Sequence, residues 1–224
     1  MTSTIQTPDG PTDLHICKDG DGYDDGWVRV YESSFPGGQR QSVAQIRGLL
    51  KAGTMELDET RDHDERVLCM TLTEVFSRSA PKFLLACYTA TQPDLRSLGI
   101  GSMHRRRLVD LLQGEYPDCL GFFSEIESTR EVGLEPQVLE TRKRRLAFFL
   151  RLGVHRLPVD YRFPSYEPGA APMQGELLWV PFGAPTLDTP TLLEVLRRIY
   201  IEGYGLAPTD PFIEQALERA SRPA

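Results

Sequence analysis

The stretch ATQPDLRSLGIGSMHRRRLVDLLQG (90–114) decides how the rest of the chain is read, because the pattern changes period inside it. Upstream, KFLLACYTAT (82–91) is a nearly continuous apolar run of strand length, the pattern of a strand buried on both faces. Downstream, Ile100, Met103, Leu108, Leu111 and Leu112 recur at helical spacing until Gly114. Between them lies Pro93-Asp94-Leu95-Arg96-Ser97-Leu98-Gly99-Ile100-Gly101-Ser102. A loop that leaves a strand and opens a helix presents free backbone N–H groups, and the helix dipole adds partial positive charge. Glycines let that backbone approach a ligand without a Cβ in the way. The junction therefore reads as an anion site suited to a pyrophosphate, with Arg96 as an added cationic contact. The third glycine of a Rossmann fingerprint is missing, as is the Gly-Lys-Ser/Thr of a P-loop. A glycine-containing turn that binds nothing is the competing reading.

Working outward, LHICK (14–18), VLCMTLTEV (67–75), CLGFFSEIE (119–127), VHRL (154–157) and ELLWVPF (176–182) read as further strands. WVRVYESSF (27–35), SVAQIRGLLKAG (42–53) and QVLETRKRRLAFFLRLG (137–153) read as helices, the second capped by Ser42 and stopped at Gly53. Thr189-Pro190 and Asp210-Pro211 open two short closing helices. Residues 1–13 read as a loose polar tail, and DETRDHDER (58–66) as a charged loop. DGDGYDDG (19–26) fails as a calcium loop on spacing, since Tyr23 and Val30 fall where carboxylates are needed, and reads as an acidic surface loop. Strands interleaved with helices predict a mixed α/β sheet flanked by helices.

Composition narrows the partners. The chain has 224 residues, 40% hydrophobic and 25% charged, with a net charge of −7. Those values predict one folded domain with a sizeable core, or one domain plus an appendage, and a negative surface that disfavours nucleic acid. No apolar run reaches the ~20 residues of a membrane span, and MTSTIQTPDGPTD lacks the basic and apolar parts of a secretory signal. Cys17, Cys69, Cys87 and Cys119 show no paired spacing, and His15, His63, His104 and His155 are scattered, so neither a zinc site nor any other metal is expected. A reducing cytoplasm is the expected compartment. His104 reads as a surface residue of the helix after the loop, although it could approach a ligand there.

At this point the sequence resembles the GCN5-related N-acetyltransferase (GNAT) family. ATQPDLRSLGIGSMHRRRL is similar to that family's cofactor segment, and RLAFFLRLGVHRL to its later helix-to-strand segment. The resemblance implies one GNAT-like domain over 14–182 with splayed parallel strands in a mixed sheet, and a C-terminal helical extension over 183–224. It implies acetyl-CoA as acyl donor. Backbone groups of Thr89, Ala90 and Thr91 would meet its pantetheine arm, and Arg96, Ser97, Leu98, Gly99, Ile100, Gly101 and Ser102 its pyrophosphate. Many members carry a tyrosine as acid for the departing thiolate; here that position is Phe149, which has no proton to give.

An attacking amine reaches the site protonated, since alkylammonium groups titrate near ~10.4, so a base is required. Glu125 and Glu127, two apart on strand 119–127, share one face, and Glu74 ends strand 67–75. Any of these could serve, and a solvated strand end is the competing reading for the first two. The expected acceptor is a small-molecule amine or a lysine side chain. A non-catalytic acyl-CoA-binding module fits the same residues. So does an interaction protein that pairs with a second copy through the stripe Leu192, Val195, Leu196 and Ile199.

Overall fold

A computed structural model describes residues 3–7, 10–18, 25–35, 37, 40–164 and 171–221. The acidic loop expected at 19–26 lies outside the described residues at 19–24, as do residues 165–170. The chain divides into two compact units, Met1–Val75 with Ala86–Pro117, and Phe76–Leu85 with Asp118–Ala224.

The first unit carries β1 (Ser3–Thr7), β2 (Gly10–Lys18), β3 (Met55–Arg61), β4 (Val67–Phe76, to Val75) and the Ala86–Thr91 part of β5 (Phe83–Thr91), paired in that order. β1 and β2 form an antiparallel hairpin, with Thr7 opposite Gly10. The stretch expected to be a loose tail, 1–13, is thus strand over Ser3–Thr7 and from Gly10 onward: backbone pairing satisfies polar segments that have no apolar signature. β3 likewise replaces the first part of the expected charged loop at 58–66. Its acidic residues Asp58 and Glu59 are fully buried, and Glu59 accepts a hydrogen bond from Arg61 Nε at 3.0 Å. For Glu59, the ion pair with Arg61 is what permits such burial.

Side chains alternate along these strands. Met55, Leu57, Met70 and Leu72 pack against α1 (Gly26–Ser34) and α2 (Val43–Lys51) through Trp27, Tyr31, Ile46 and Leu50. Ser42 caps α2 in a reciprocal box with Gln45. Cys69, Leu95 and Ile100 cluster on the other face, where α3 (Ile100–Glu115) lies.

The second unit carries β6 (Gly121–Glu127), β7 (His155–Arg156), β8 (Tyr161–Phe163) and β9 (Met173–Pro181). β9 pairs antiparallel with all three, placing Leu177 opposite Glu125, and Gly175 opposite both Glu127 and Tyr161. α4 (Pro136–Arg151) buries Phe149 against Ile126, Val154 and Leu178. α5 (Thr189–Arg198) starts one residue earlier than the Thr189 cap expected, because Asp188 Oδ1 accepts the Thr191 N–H at 2.7 Å. A π-helical turn (Ile199–Gly203) and α6 (Pro211–Ser221) come next. The stripe Leu192, Val195, Leu196 and Ile199 is buried in the chain, so this face is not exposed to a second copy.

Arg198 fastens α5. It is 4% exposed, lies over the Phe76 and Phe83 rings at 5.5 and 5.3 Å, pairs with Glu202, and donates to the Ser79 carbonyl at 2.8 Å. Removing the guanidinium leaves buried carbonyls unmet. Arg198→Ala is expected to cost about 2–4 kcal/mol in denaturant melts, and Arg198→Lys to recover only part, because lysine lacks the planar fork. An unchanged midpoint for the alanine variant would remove this anchor from the account.

Candidate functional site

In the first unit, β5 ends at Thr91 and the chain is pinned there: Gln92 N–H donates to the Leu68 carbonyl at 2.9 Å. A short 3-10 turn, Pro93–Leu95, comes next, and Leu95 is buried as its apolar anchor. Ser97 then takes a positive φ of 67° and Gly99 one of 89°, so the backbone turns twice through the left-handed region before α3 begins. Gly99 is the N-cap of α3 and has no side chain to satisfy the first N–H groups of the helix. A Cβ built on Gly99 meets nothing within 4 Å. Arg96 is exposed beside this turn, with its Nε 3.4 Å from the Thr91 carbonyl. Strand end, double left-handed turn and uncapped N-terminus of a 16-residue helix together make a concentrated patch of backbone donors. The donor set fits a pyrophosphate.

Behind the loop lies a polar chain that the sequence pattern does not reveal. His104 is fully buried, not on the surface. Its Nδ1 is 2.8 Å from Thr60 Oγ1 and its Nε2 2.9 Å from Thr71 Oγ1; Thr71 Oγ1 is in turn 3.1 Å from Thr89 Oγ1. The imidazole therefore ties β3, β4 and β5 together below Thr89. The apolar stripe expected for α3 is shifted accordingly: His104 and Arg105 are buried, and Leu111 is 38% exposed.

Burial, with the Arg105 guanidinium alongside, pushes the His104 pKa from 6.5 down to about 3. A group depressed this way stabilises the fold fully above about pH 6.5, and that stabilisation fades as the pH falls toward 3. His104 should give no NMR titration between about pH 5 and 8, and His104→Ala should cost about 2–4 kcal/mol by taking the imidazole partner from two buried hydroxyls and leaving a cavity in its place. A normal titration near 6.5 would show that the ring is not held as described.

Tyr88 packs edge-on to Tyr31 and Phe35 at 4.9 and 5.1 Å, and its hydroxyl accepts the Gln41 N–H at 3.0 Å. Glu74 is buried on β4 opposite Met55, on the strand face of Leu72 rather than that of Thr71.

In the second unit the two carboxylates of β6 have different surroundings. Glu127 is ion-paired with Arg145 of α4. Glu125 is held by tyrosines: the Tyr161 hydroxyl donates to Oε1, and the Tyr204 hydroxyl reaches Oε1 and Oε2 at 3.1 and 3.2 Å. Gly175 makes room for this, since a Cβ there would come within 2.9 Å of the Tyr161 ring and 2.7 Å of the Phe163 ring. Burial raises the Glu125 pKa from 4.5 to about 7, against the opposing pull of the two phenols. A carboxylate that exchanges a proton near neutrality is suited to general-base work. Phe149 sits in the apolar cluster of α4 and offers no proton.

No protein-family profile and no curated protein sequence matches the chain. Solved structures do. A Bacteroides thetaiotaomicron protein described as an acetyltransferase of the GNAT family aligns with a TM-score of 0.63 at 20% identity, over 80% of this chain and 90% of that one. The ribosomal-protein-S18-alanine N-acetyltransferase of Escherichia coli aligns at 0.51 and 12% identity, over 78% and 99%. A GNAT superfamily phosphinothricin acetyltransferase from Sinorhizobium meliloti, solved with acetyl-CoA, aligns at 0.51 and 14%, over 76% and 89%. The chain has the GNAT fold, a mixed α/β architecture. Among the described residues no helix is long and apolar enough to cross a membrane.

Proposed function

We propose that this protein is an acyl-CoA-dependent N-acetyltransferase, moving an acetyl group from acetyl-CoA to a primary amine. The observation that carries the reading is the junction of β5 and α3: a strand end, two left-handed residues and an uncapped 16-residue helix, with open space over Gly99. In this reading Thr89, Ala90 and Thr91 offer backbone groups to the pantetheine arm. The amides from Ser97 through Leu98, Gly99, Ile100 and Gly101 to Ser102 grip the pyrophosphate, with the Arg96 guanidinium beside them. Residues 14–182 form the transferase domain, and 183–224 extend it. Free thiols at Cys69, Cys87 and Cys119 suit a reducing cytoplasm.

Glu125 takes the ammonium proton as its raised pKa allows, and the amine then attacks the thioester carbonyl directly. A backbone N–H near Tyr88–Ala90 steadies the oxyanion of the tetrahedral intermediate. With Phe149 in the family's acid position, the thiolate leaves unprotonated, which is reasonable for a thiol that titrates near ~8.5. Glu127, paired with Arg145, and Glu74, on the apolar face of β4, are weaker candidates for the base. The acceptor is a small molecule or a lysine side chain, and the net charge of −7 favours a cationic one over nucleic acid.

A screen for thiol release from acetyl-CoA against a panel of amines, run beside calorimetry with CoA, tests this. CoA binding with release for at least one amine supports it. Binding with flat traces throughout selects the non-catalytic module, the reading that Phe149 favours, and no binding removes both.

A further inference from the structure

The geometry points to Tyr204, on the C-terminal segment beyond the expected domain, as a positioning residue that holds the Glu125 carboxylate in its working orientation. The inference rests on the assignment of Glu125 as the base. It makes 183–224 a part of the reaction centre instead of an appendage.

Three features support it. The first is how Tyr204 is aimed. α5 runs into the π-helical turn Ile199–Gly203, closed by the Tyr204 N–H on the Ile199 carbonyl at 3.0 Å. The wider turn inserts a residue and rotates the residues beyond it; such insertions recur at functional sites because they re-aim a side chain. Gly205 then takes a φ of 69° and the Leu206 N–H returns to the Tyr200 carbonyl at 3.1 Å, which ends the turn immediately after Tyr204. The second is the support beneath it. Tyr200 stacks on Tyr161 at 6.0 Å and 9°, and its hydroxyl donates to the Arg162 carbonyl at 2.7 Å. The turn is thereby seated on β8, while Arg198 fastens its other end.

The third is the hydrogen inventory. A carboxylate only accepts, whereas a phenol has one proton to donate. Burial raises the Tyr161 phenol well above its ordinary range, so it keeps its proton. With Tyr161 on Oε1 and Tyr204 shared across both oxygens, the arrangement is complete when Glu125 is ionised. Protonating Glu125 puts a hydrogen on one oxygen, and Tyr204 must surrender one arm of its bridge. The other groups beside this cluster are Tyr200 of the π turn, which feels both Glu125 and Arg219 of α6, and Glu127 on the same strand face, already paired with Arg145. No described hydrogen bond or ion pair joins any of these to the Glu125 oxygens, so the two phenols are the donors that favour the ionised form.

The test reads the carboxyl directly. The full chain, carbon-13 labelled at glutamate, is titrated from about pH 5 to 9 by infrared spectroscopy, and the Glu125 band is assigned by its loss in Glu125→Gln. Losing a hydrogen bond to a charged group of about 1.5–3 kcal/mol moves a midpoint by about one to two pH units. Tyr204→Phe is therefore expected to raise the Glu125 midpoint by that amount. The acidic limb of kcat should move with it, leaving the KM for acetyl-CoA in place. A midpoint equal to that of the unmodified chain overturns the inference. Should the phenylalanine variant not fold, 3-fluorotyrosine at 204 replaces it: a stronger donor of nearly the same size, expected to lower the midpoint, with no movement again overturning the inference. The infrared midpoint does not depend on turnover, so absence of acetyl transfer sinks the proposed function and leaves this test standing.

Discussion

Gly99→Val is expected to weaken CoA binding by at least about 100-fold, equivalent to about 2.7 kcal/mol, while leaving a folded protein. The glycine sits at a φ of 89°, where a β-branched residue is strained by about 1–3 kcal/mol. A chain of this size loses a few degrees of Tm for such a cost. Space is not the obstacle within the protein, since a Cβ at Gly99 meets no atom within 4 Å. The side chain instead fills the volume over the first turn of α3 and pulls the loop away from its left-handed path, removing the cradle in both ways. Gly114→Val, near the far end of the same helix and equally open, controls for helix stability and should bind CoA normally. Calorimetry on the two variants decides it. A folded Gly99→Val protein that retains full CoA affinity would show that the ligand is held elsewhere, and the acetyltransferase reading would fall with it.

This cradle is legible in the sequence because two periods meet there. A run of apolar residues without alternation, then glycines, then a 3.6-residue repeat, specify strand, turn and helix by local rules alone. What the sequence hides is polarity inside the fold. The strand β3 reads MELDETR, and nothing in single residues distinguishes it from a surface loop. Only the partners reveal it: Arg61 against Glu59, and Thr60 against His104, forty-four positions away. His104 fails to stand out for the same reason. A histidine that leads into three arginines on a helix looks solvated until two threonines from separate strands close on its nitrogens. Binary patterning finds apolar faces and is blind to paired polar ones.

The face shared by Glu125 and Glu127 is legible from spacing, but their different fates are not. Arg145 and Tyr161 lie 18 and 36 residues away from their respective partners, and Tyr204 lies 79 from Glu125. The C-terminal stripe Leu192, Val195, Leu196 and Ile199 is apolar as its spacing shows, yet periodicity does not say what an apolar face meets. Here the stripe is buried, and α5 packs against α6 and runs directly into the π turn that precedes Tyr204. A segment that reads as an appendage thus has a role in the proposed chemistry through its packing.

Glu125→Gln carries the second large effect. General-base catalysis contributes about 10²–10⁴-fold, so kcat for the amine acceptor should fall by that factor with CoA affinity unchanged. The pH dependence comes from the raised pKa. The base works only when ionised, so activity in the unmodified chain should rise with pH, reach half its maximum near 7, and level off above. Stability runs the opposite way. A carboxyl whose folded pKa lies above its unfolded value of 4.5 is bound to its proton more tightly when folded, so stability declines between about pH 4.5 and 7 and is flat beyond. Glutamine stays neutral throughout. The variant should therefore lose this decline and, above pH 7, melt no lower than the unmodified protein even though it has lost its turnover. Gain of stability with loss of rate is the signature of a buried group kept for chemistry. A Glu125→Gln protein with unaltered kcat and an unaltered pH profile would transfer the role of base to Glu127 or Glu74, and parallel variants at those two positions would show which.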